Sequence, residues 1–430
     1  MRRAACLLIL LAALCVPPRA FALVGEDAAA PAPGDAQSDS FSFKGNFRSL
    51  FLGMHTDDYA KTGRERDLRA SLNRLRLSPE LALGDHLILH AEIDNELIAS
   101  NFMGAPEYDA LFSPPDYDDF LKPEWEPWRN SRIGYRDRVH RAFAKLRAGD
   151  FTVTAGRQLV RFGSGRLWNP LDIMSPVPPT SIEGPEEARG IDALRVEYFP
   201  GEAAAVSVVA NPRRVDDRDP RDRYEARSTN LLGRIKVSIG DTDIAAIGGR
   251  VSYRDVTGVD LATTLAGGTA RGALLYSSPR EGRAFACAGA GYEYTFRFGT
   301  TMLLEYFYNQ YGLNNDARLG AQYLRDRYFG PDETGMRALS NRLITFNRHY
   351  AAAALGYDIT PLLRADFFAI ADFEGRGLFF NPALKYNALG NVDIAVAVMK
   401  AHVFRGAGVT SDFDPYAKCA FVIASLTWYF

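Results

Sequence analysis

The sequence Val-Ile-Ala-Ser-Leu-Thr-Trp-Tyr-Phe at residues 422–430 decides the fold. In an extended strand, Ser425 and Thr427 lie on one face and an unbroken apolar set lies on the other. An unpaired apolar edge of this kind promotes aggregation in a soluble protein, whereas a closed barrel in a lipid bilayer has no edge and turns its apolar side chains outward. The segment therefore predicts a strand of a transmembrane β-barrel, with the last strand of a periplasmic sandwich as the alternative. The apolar set is Val422, Ala424, Leu426, Trp428 and Phe430.

The beginning of the sequence predicts export. Two arginines precede an apolar stretch at residues 4–16, and residues 20–22 read Ala-Phe-Ala, which suits signal-peptide cleavage after residue 22. The apolar stretch is shorter than the roughly 20 residues that a membrane-spanning helix needs. Residues 1–22 are therefore expected to be a signal peptide, and residues 23–40, rich in small residues and proline, a flexible linker. The remaining chain, residues 41–430, is expected to form the barrel in the outer membrane of a Gram-negative bacterium.

The composition narrows the class of protein further. The chain contains 27 Phe and 20 Tyr, yet no apolar run after the signal peptide reaches the roughly 18 residues of a membrane helix. A formal net charge of -2 argues against a nucleic-acid partner. The six His and four Cys show no metal-ligand spacing, so we expect no metal and no other cofactor.

Alternating apolar and polar residues begin at Phe41 and recur along the chain. Short turns, such as Gly84-Asp85 and Gly240-Asp241, join pairs of these stretches, and longer polar connections alternate with the turns. Short turns at one end of the strands and long loops at the other are typical of bacterial barrels. The sequence thus predicts an all-β fold, a transmembrane antiparallel β-barrel of about 18 strands with short periplasmic turns and long extracellular loops. The long connections are 100–137, 163–189, 212–229, 311–346 and 402–415.

Charged residues fall on one parity of each predicted strand and apolar residues on the other. A charge that faces lipid near the bilayer midplane costs roughly 2–4 kcal/mol, so the charges are expected to line the interior. A barrel of about 18 strands with such an interior is wide enough for an aqueous channel, and a lumen sealed by salt bridges and a plug is the alternative. The predicted lumen-lining residues are Arg74, Arg76, Glu92, Asp94, Arg141, Lys145, Arg147, Arg195, Glu197, Arg234, Lys236, Glu305, Arg364 and Asp366.

Residues 155–190 have the most individual character. The stretches Gly156-Arg157-Gln158, Phe162-Gly163 and Trp168-Asn169-Pro170-Leu171-Asp172, together with Arg189-Gly190-Ile191-Asp192, resemble a porin-like family of Gram-negative barrels related to alginate-export and substrate-selective porins. The resemblance implies that residues 163–190 fold into the lumen and narrow it. It also implies that the terminal strand, through Leu426, Trp428 and Phe430, is the signal read by the barrel assembly machinery.

The residues of this segment suit an inward loop. Its prolines prevent regular strand pairing, its glycines permit tight reversals, and its arginines offer planar donors for carboxylate or phosphate. The alternative is a loop held to the wall by pairs between arginines and Glu183, Glu186 and Glu187. The candidate constriction and selectivity residues are Arg157, Arg161, Arg166, Asp172, Glu183 and Arg189.

Three functions are weighed from the sequence. The first is a passive outer-membrane channel for small hydrophilic solutes, anionic ones included, in contact with the lipid bilayer and lipopolysaccharide. The second is a barrel component of an assembly, which is either the sheath of a porin–cytochrome conduit or a polymer export pore. The chain contains no haem-attachment CxxCH motif, so a cytochrome would be a separate periplasmic partner. The third is a barrel enzyme, which is not expected because no Ser-His-Asn arrangement stands out.

Overall fold

The computed structural model describes residues 39–56, 66–105, 108, 111–112, 120–175, 187–188, 190–213, 229–251, 254–279, 284–310, 312, 345, 347–404 and 411–430. The predicted signal peptide, residues 1–22, lies outside the described residues, as does the linker up to residue 38. Among the described residues, no helix is long and apolar enough to cross a membrane.

The described chain is almost entirely β-strand, with one short helix, α1, at Asp414–Lys418. The strands are β1 Ser40–Thr56, β2 Arg66–Leu83, β3 Leu87–Ser100, β4 Glu124–Arg129, β5 Ile133–Ala148, β6 Phe151–Gln158, β7 Ile191–Tyr198, β8 Ala204–Asn211, β9 Asn230–Ile239, β10 Thr242–Val251, β11 Arg254–Leu265, β12 Gly268–Pro279, β13 Phe285–Thr295, β14 Thr301–Asn309, β15 His349–Thr360, β16 Leu363–Asp372, β17 Gly377–Leu389, β18 Val392–Val403 and β19 Cys419–Tyr429.

The strands close into a barrel. Neighbours in the wall pair antiparallel, and β1 pairs with β2 on one edge and with β19 on the other, from Asn46 opposite Tyr429 to Thr56 opposite Cys419. Eighteen strands form the closed wall, and β4 is an additional short strand. The predicted fold and strand number are confirmed, and closure leaves the wall without the free edge that the apolar β19 would otherwise present.

The side chains alternate between the two faces of the wall. Ile235 and Leu274 are exposed on the outer face, whereas their neighbours Arg234 and Leu275 point inward. On β19 the outward residues include Leu426 and Trp428, and Phe430 follows the strand. The outer face is therefore apolar, as lipid requires.

Strand β4 was missed from the sequence, because residues 100–137 were assigned to a loop. One edge of β5 pairs with β3 from Ile133 to Leu146, and its other edge pairs with β6 only at residues 142–148. Strand β4 occupies the rest of this second edge, opposite residues 134–138 of β5. It fills the wall above β6 and β7, which have only eight residues each. The sequence did not predict this strand because it contains Pro127. Proline interrupts strand pairing, and the register shifts between Trp125 and Trp128.

The inner face has two layers. We call the end of the barrel with the short turns the turn end, and the opposite end the loop end. Toward the turn end the inward side chains are mainly charged or polar. Toward the loop end they are apolar and buried. The apolar layer includes Leu50, Leu52, Leu68, Leu72, Ile98, Phe307, Tyr350, Ile370, Phe379, Met399, Phe421 and Ile423 on one side of the barrel, and Val209, Leu232, Ile247, Val251, Val256 and Leu275 on the other.

Candidate functional site

The chain leaves the wall after β6 and crosses the barrel interior. We call residues 159–175 the crossing segment. Its apolar side chains pack against the inner face of β7 to β12 and form one buried cluster with the apolar layer there. Burial of this kind contributes roughly 1.5–3 kcal/mol per large apolar side chain, so the segment is a packed part of the interior. The buried apolar residues of the segment in this cluster are Val160, Phe162, Leu171, Ile173 and Met174.

The middle of the crossing segment is bound to β14, which lies on the opposite side of the wall from β6. The Glu305 carboxylate accepts the backbone N–H groups of Arg166, Leu167 and Trp168 at 2.8, 2.9 and 3.1 Å. Hydrogen bonds to an ionised group are stronger than neutral ones, and three of them converge on one side chain. Glu305, predicted only as a lumen-lining charge, thus anchors the crossing segment.

Two further contacts fix the same part of the segment. Asp260 of β11 accepts hydrogen bonds from the backbone N–H and the hydroxyl of Ser164, at 3.1 and 2.8 Å. The Trp168 ring stacks on Phe307 and packs at a tilt against Tyr350, with ring centroids 5.7 and 5.8 Å apart. The segment is therefore held to the far wall by both polar and aromatic contacts.

Two glycines allow the backbone of the crossing segment to form a tight turn at residues 163–169. Gly163 has a φ of +93°, and a Cβ at this position would lie 2.2 Å from Oδ1 of Asn169. A Cβ on Gly165 would lie 2.2 Å from the carbonyl oxygen of Trp168. Asn169 closes the turn by donating from Nδ2 to the carbonyl of Phe162 at 2.8 Å. Only glycine permits this close approach of the backbone to itself.

Arg157 is engaged in the wall and does not point to a solute path. Its guanidinium donates to both carboxylate oxygens of Asp192, at 3.0 and 2.9 Å, and to the carbonyl of Leu121 at 2.7 Å. The side chain is 3% exposed. Because the backbone N–H of Leu121 also donates to Asp192, the pair ties the segment before β4 to β6 and β7. This placement argues against the selectivity role predicted for Arg157.

Arg161 and Asp172 form a pair within the crossing segment. Nε of Arg161 donates to Oδ2 of Asp172 at 2.6 Å, and about a third of the Arg161 side chain is exposed while Asp172 is buried. Burial raises the pKa of Asp172 to about 7, against the opposing effect of Arg161. The pair therefore changes its charge near neutral pH.

Arg166 is the most accessible of the predicted constriction residues that the structure describes. Its side chain is 57% exposed, and Nε lies 3.2 Å from a carboxylate oxygen of Glu293. Glu183 and Arg189, also predicted to lie at the constriction, are outside the described residues.

Glu187 joins the chain just before β7 to strands β1 and β2, which are not neighbours of β7 in the wall. Its carboxylate lies 3.4, 3.0 and 2.7 Å from guanidinium nitrogens of Arg48, Arg74 and Arg76 on β1 and β2. Burial opposes ionisation of Glu187, but Arg74 and Arg76 outweigh it and lower its pKa. The alternative of a loop held to the wall by Arg–Glu pairs is therefore realised at Glu187, with arginines of the wall.

The same region contains a dense ion-pair network. Arg76 donates to Asp94 at 2.6 and 2.9 Å, and Arg74 donates to Glu96 at 2.7 Å. Glu96, Arg136 and Arg138 belong to this network but were missed from the sequence. For Arg136 and Arg138 the reason is a β-bulge, because Glu92 faces Arg141 while Ile93 faces Val139, so the parity of β5 changes at His140. Glu96 shares the parity of Glu92 and Asp94 on β3, and that signal could have found it.

A second group of inward charges lies on β5 to β9, toward the turn end. Arg195 and Arg234 both lie over the Phe162 ring, with guanidinium carbons 6.0 and 5.4 Å from its centroid. Arg195 also pairs with Glu197 at 2.6 Å, and Lys236 with Asp243 at 3.0 Å. The cations of this group, which we call the basic stripe, are Arg141, Lys145, Arg147, Arg195, Arg234 and Lys236.

The remaining predicted lumen charges, Arg364 and Asp366, pair with each other at 2.8 Å on β16. Within the described residues, no group of three or more His, Cys, Asp or Glu side chains could hold a metal ion.

Solved structures share this architecture. The chain matches OccAB1 of Acinetobacter baumannii with a TM-score of 0.54 and 11% identity, over 91% of this chain and 96% of that one. It matches Pseudomonas aeruginosa OpdK with vanillate at 0.54 and 10% identity, over 90% and 98%. It also matches Pseudomonas aeruginosa OccK2 (OpdF) in complex with glucuronate at 0.53 and 7% identity, over 91% and 99%. These neighbours are substrate-specific outer-membrane porins.

The chain has the fold of an outer-membrane porin. No protein-family model and no curated protein sequence matches it. At 7–11% identity, the property shared with the solved structures is the fold. The porin fold accounts for the closed apolar wall.

Proposed function

We propose that this chain is an outer-membrane channel through which small anionic solutes, carboxylates above all, diffuse passively. The loop end would face the cell exterior and the turn end the periplasm, as in bacterial barrels generally. Export would remove residues 1–22, and the barrel assembly machinery would read the last strand through Leu426, Trp428 and Phe430. The proposal includes no catalytic activity and no cofactor.

One group of donors carries the anionic preference. Nε of Arg195, Nε of Arg234 and the hydroxyl of Ser207 are buried on adjacent strands, without a hydrogen-bond partner among the described residues. A buried polar atom left unpaired costs about 1–3 kcal/mol, which a passing anion would offset. The planar guanidinium suits a carboxylate, and both guanidinium groups lie over the Phe162 ring.

The surroundings of these donors support the same solute class. The basic stripe extends from them toward the turn end and would raise the local concentration of anions in an aqueous channel with low-dielectric walls. Vanillate and glucuronate, named with two of the structural neighbours, are both carboxylates.

Reversal potentials in planar bilayers test the proposal. Under a KCl gradient we expect the purified protein to prefer chloride, and glucuronate added on one side to reduce the chloride current. The double variant Arg195→Ala, Arg234→Ala should lose most of this preference, whereas Lys385→Ala, on the opposite side of the lumen, should keep it. A preference for potassium in the unaltered protein, or an unchanged preference in the double variant, would contradict the proposal.

The assembly alternative needs an interior that accepts a protein or a polymer. The crossing segment and the apolar layer occupy that space, which argues against a sheath around a cytochrome or an export pore. Steady channels from the protein alone would support passive diffusion, and silence without a partner would support the assembly.

A further inference from the structure

The lipid-facing side of β1, β2, β3 and β5 carries polar residues in place of the usual apolar ones. They share the outward parity of Phe51 and Leu97, which are both exposed. We call this set the outer polar patch. Its members are Ser49, Ser71, Asn73, Asn95, Tyr135 and Asp137.

Hydrogen bonds join the members of the patch across the strands. Ser49 donates to Oδ1 of Asn73 at 2.8 Å, and Nδ2 of Asn73 donates to the hydroxyl of Ser71 at 3.1 Å. The Tyr135 hydroxyl lies 2.6 Å from Asp137 and 3.3 Å from Asn95. These contacts keep the polar atoms together on the outer surface, where a polar ligand can reach them.

The height of the patch on the wall places it at a membrane surface. Asn73, Asn95 and Asp137 lie about ten residues from the short turns of their strands, which corresponds to about 25 Å along the barrel axis at 3.3 Å per residue and a tilt near 40°. That distance equals the height of the apolar band of a barrel, about 25 Å. The patch therefore lies where the acyl chains of the outer leaflet meet their headgroups.

Exposed cations and aromatic rings surround the patch. Arg69 lies on β2 above Ser71, and Arg132 lies in the turn between β4 and β5, bonded through its carbonyl to the N–H of Ser100. Both side chains are exposed, and neither forms an ion pair within the part of the chain that the structure describes. Trp125 and Trp128 are exposed on β4, next to Asp137 and Tyr135 in the sheet.

This combination is local to one sector of the wall. At a similar distance from the turns, the outward residues on β13, β15 and β16 are Ala286, Ala288, Ala351 and Ala371. Outward polar residues occur at this height elsewhere, as at Arg250 and Asp255 on β10 and β11, but there without neighbouring amides or exposed tryptophans. The patch is therefore a candidate binding face.

We propose that the outer polar patch binds the headgroup of lipopolysaccharide, the phosphorylated glucosamine disaccharide of lipid A. The amides, the carboxylate and the phenol can exchange hydrogen bonds with sugar hydroxyl and amide groups, and Arg69 and Arg132 can bind phosphate. The tryptophan rings are amphipathic and suit the boundary between acyl chains and headgroups. Below the patch, exposed Ile93 and Phe43 would contact the acyl chains.

Native mass spectrometry of the detergent-purified protein tests the site. We use hexa-acylated, bis-phosphorylated lipid A as the probe and expect at least ten-fold weaker binding in Arg69→Ala, Arg132→Ala and in Asn95→Leu, Asp137→Leu. The matched control is Arg250→Ala, Asp255→Ala, which removes an outward ion pair at a similar height on β10 and β11 and should bind as the unaltered protein does. Heat-modifiable electrophoretic mobility identifies the variants that have folded.

A probe without phosphates separates the two parts of the patch. Dephosphorylated lipid A should bind the unaltered protein and the Arg69→Ala, Arg132→Ala variant equally, whereas Asn95→Leu, Asp137→Leu should still weaken its binding. Unchanged binding of intact lipid A by both folded patch variants would overturn the proposal. Dissociation of an oligomer in the patch variants, with lipid A binding intact, would also overturn it and assign the face to a second copy of this chain.

Discussion

Glu305 shows how one side chain can fix the path of a loop inside a barrel. Its carboxylate accepts hydrogen bonds from the backbone N–H groups of Arg166, Leu167 and Trp168, which would otherwise donate to water. Each such bond to a charged acceptor contributes about 1.5–3 kcal/mol. Glu305 therefore holds the middle of the crossing segment in place inside the barrel.

We predict that Glu305→Ala releases the crossing segment without unfolding the barrel. The amides of residues 166–168 should exchange with deuterium at least ten-fold faster, and the single-channel conductance should rise and become noisier. Glu305→Gln, which keeps an acceptor, should have a smaller effect, and Asp366→Ala, away from the segment, should have none. Unchanged exchange at residues 166–168 in Glu305→Ala would show that the aromatic contacts of Trp168 suffice.

The Arg161–Asp172 pair predicts a dependence of selectivity on pH. Because burial raises the pKa of Asp172 to about 7, its carboxyl is mostly neutral at pH 6 and mostly ionised at pH 8, while Arg161 stays charged. The lumen therefore gains positive charge as the pH falls, and chloride preference should increase from pH 8 to pH 6. Reversal potentials measure this change.

Asp172→Asn provides the control for the pH effect. This variant should show the high anion preference at both pH values. If it retains the full pH dependence, other groups are responsible. The same raised pKa also means that the native state binds a proton that the unfolded chain releases, so this residue's contribution to stability falls as the pH rises from about 4 to about 7.

At the scale of elements, the conformation of the crossing segment can change without a change in the strands of the wall. None of the strand pairs of the wall involves residues 163–169, so a change there should leave the barrel intact. The glycines of the segment determine its conformation, while the strands determine that of the wall.

We predict that Gly165→Ala displaces the crossing segment, since the added methyl group would lie 2.2 Å from the carbonyl oxygen of Trp168. The circular dichroism and the heat-modifiable mobility should match those of the unaltered protein, while the conductance should change. Gly272→Ala is the matched control, because a Cβ there meets no atom within 4 Å. An unchanged conductance in Gly165→Ala would mean that the segment does not limit the flow of ions.

The wall could be predicted from the sequence because lipid imposes a strict alternation on it. Ile235 beside Arg234, or Leu304 beside Glu305, leaves only one orientation of the strand. The alternation fails where a local irregularity intervenes. Pro127 concealed β4, and the bulge at His140 concealed the inward direction of Arg136 and Arg138.

The site was less predictable than the wall for a physical reason. Charge alone cannot distinguish an arginine that faces a solute from one with its own carboxylate partner, and Arg157 proved to have Asp192. The contacts between the crossing segment and the wall join residues that are far apart in the sequence. The apolar layer toward the loop end and the anchoring role of Glu305 could therefore be recognised only in the structure. The motif at residues 162–172 lies within the crossing segment.

At the scale of the whole molecule, the surrounding lipid is part of the fold. We predict that Leu384→Arg, on the outer face near mid-height of β17, lowers the free energy of unfolding in phospholipid vesicles by about 2–4 kcal/mol. Ala383→Arg places the same charge one residue away on the inner face and should cost less than about 1 kcal/mol. Urea titration of the two proteins in vesicles measures the difference, and equal losses would contradict the assignment of the two faces.

The pairing of β1 with β19 has a consequence for biosynthesis. The backbone N–H and C=O groups along one edge of β1 have no partner until β19, hundreds of residues later in the chain, has been synthesised and exported. The barrel therefore cannot fold to completion strand by strand during synthesis and export. The unfolded chain has to be protected from aggregation until it reaches the membrane. A chain that ends anywhere before β19 would form an open sheet with aggregation-prone edges, so only the full-length chain can close the barrel.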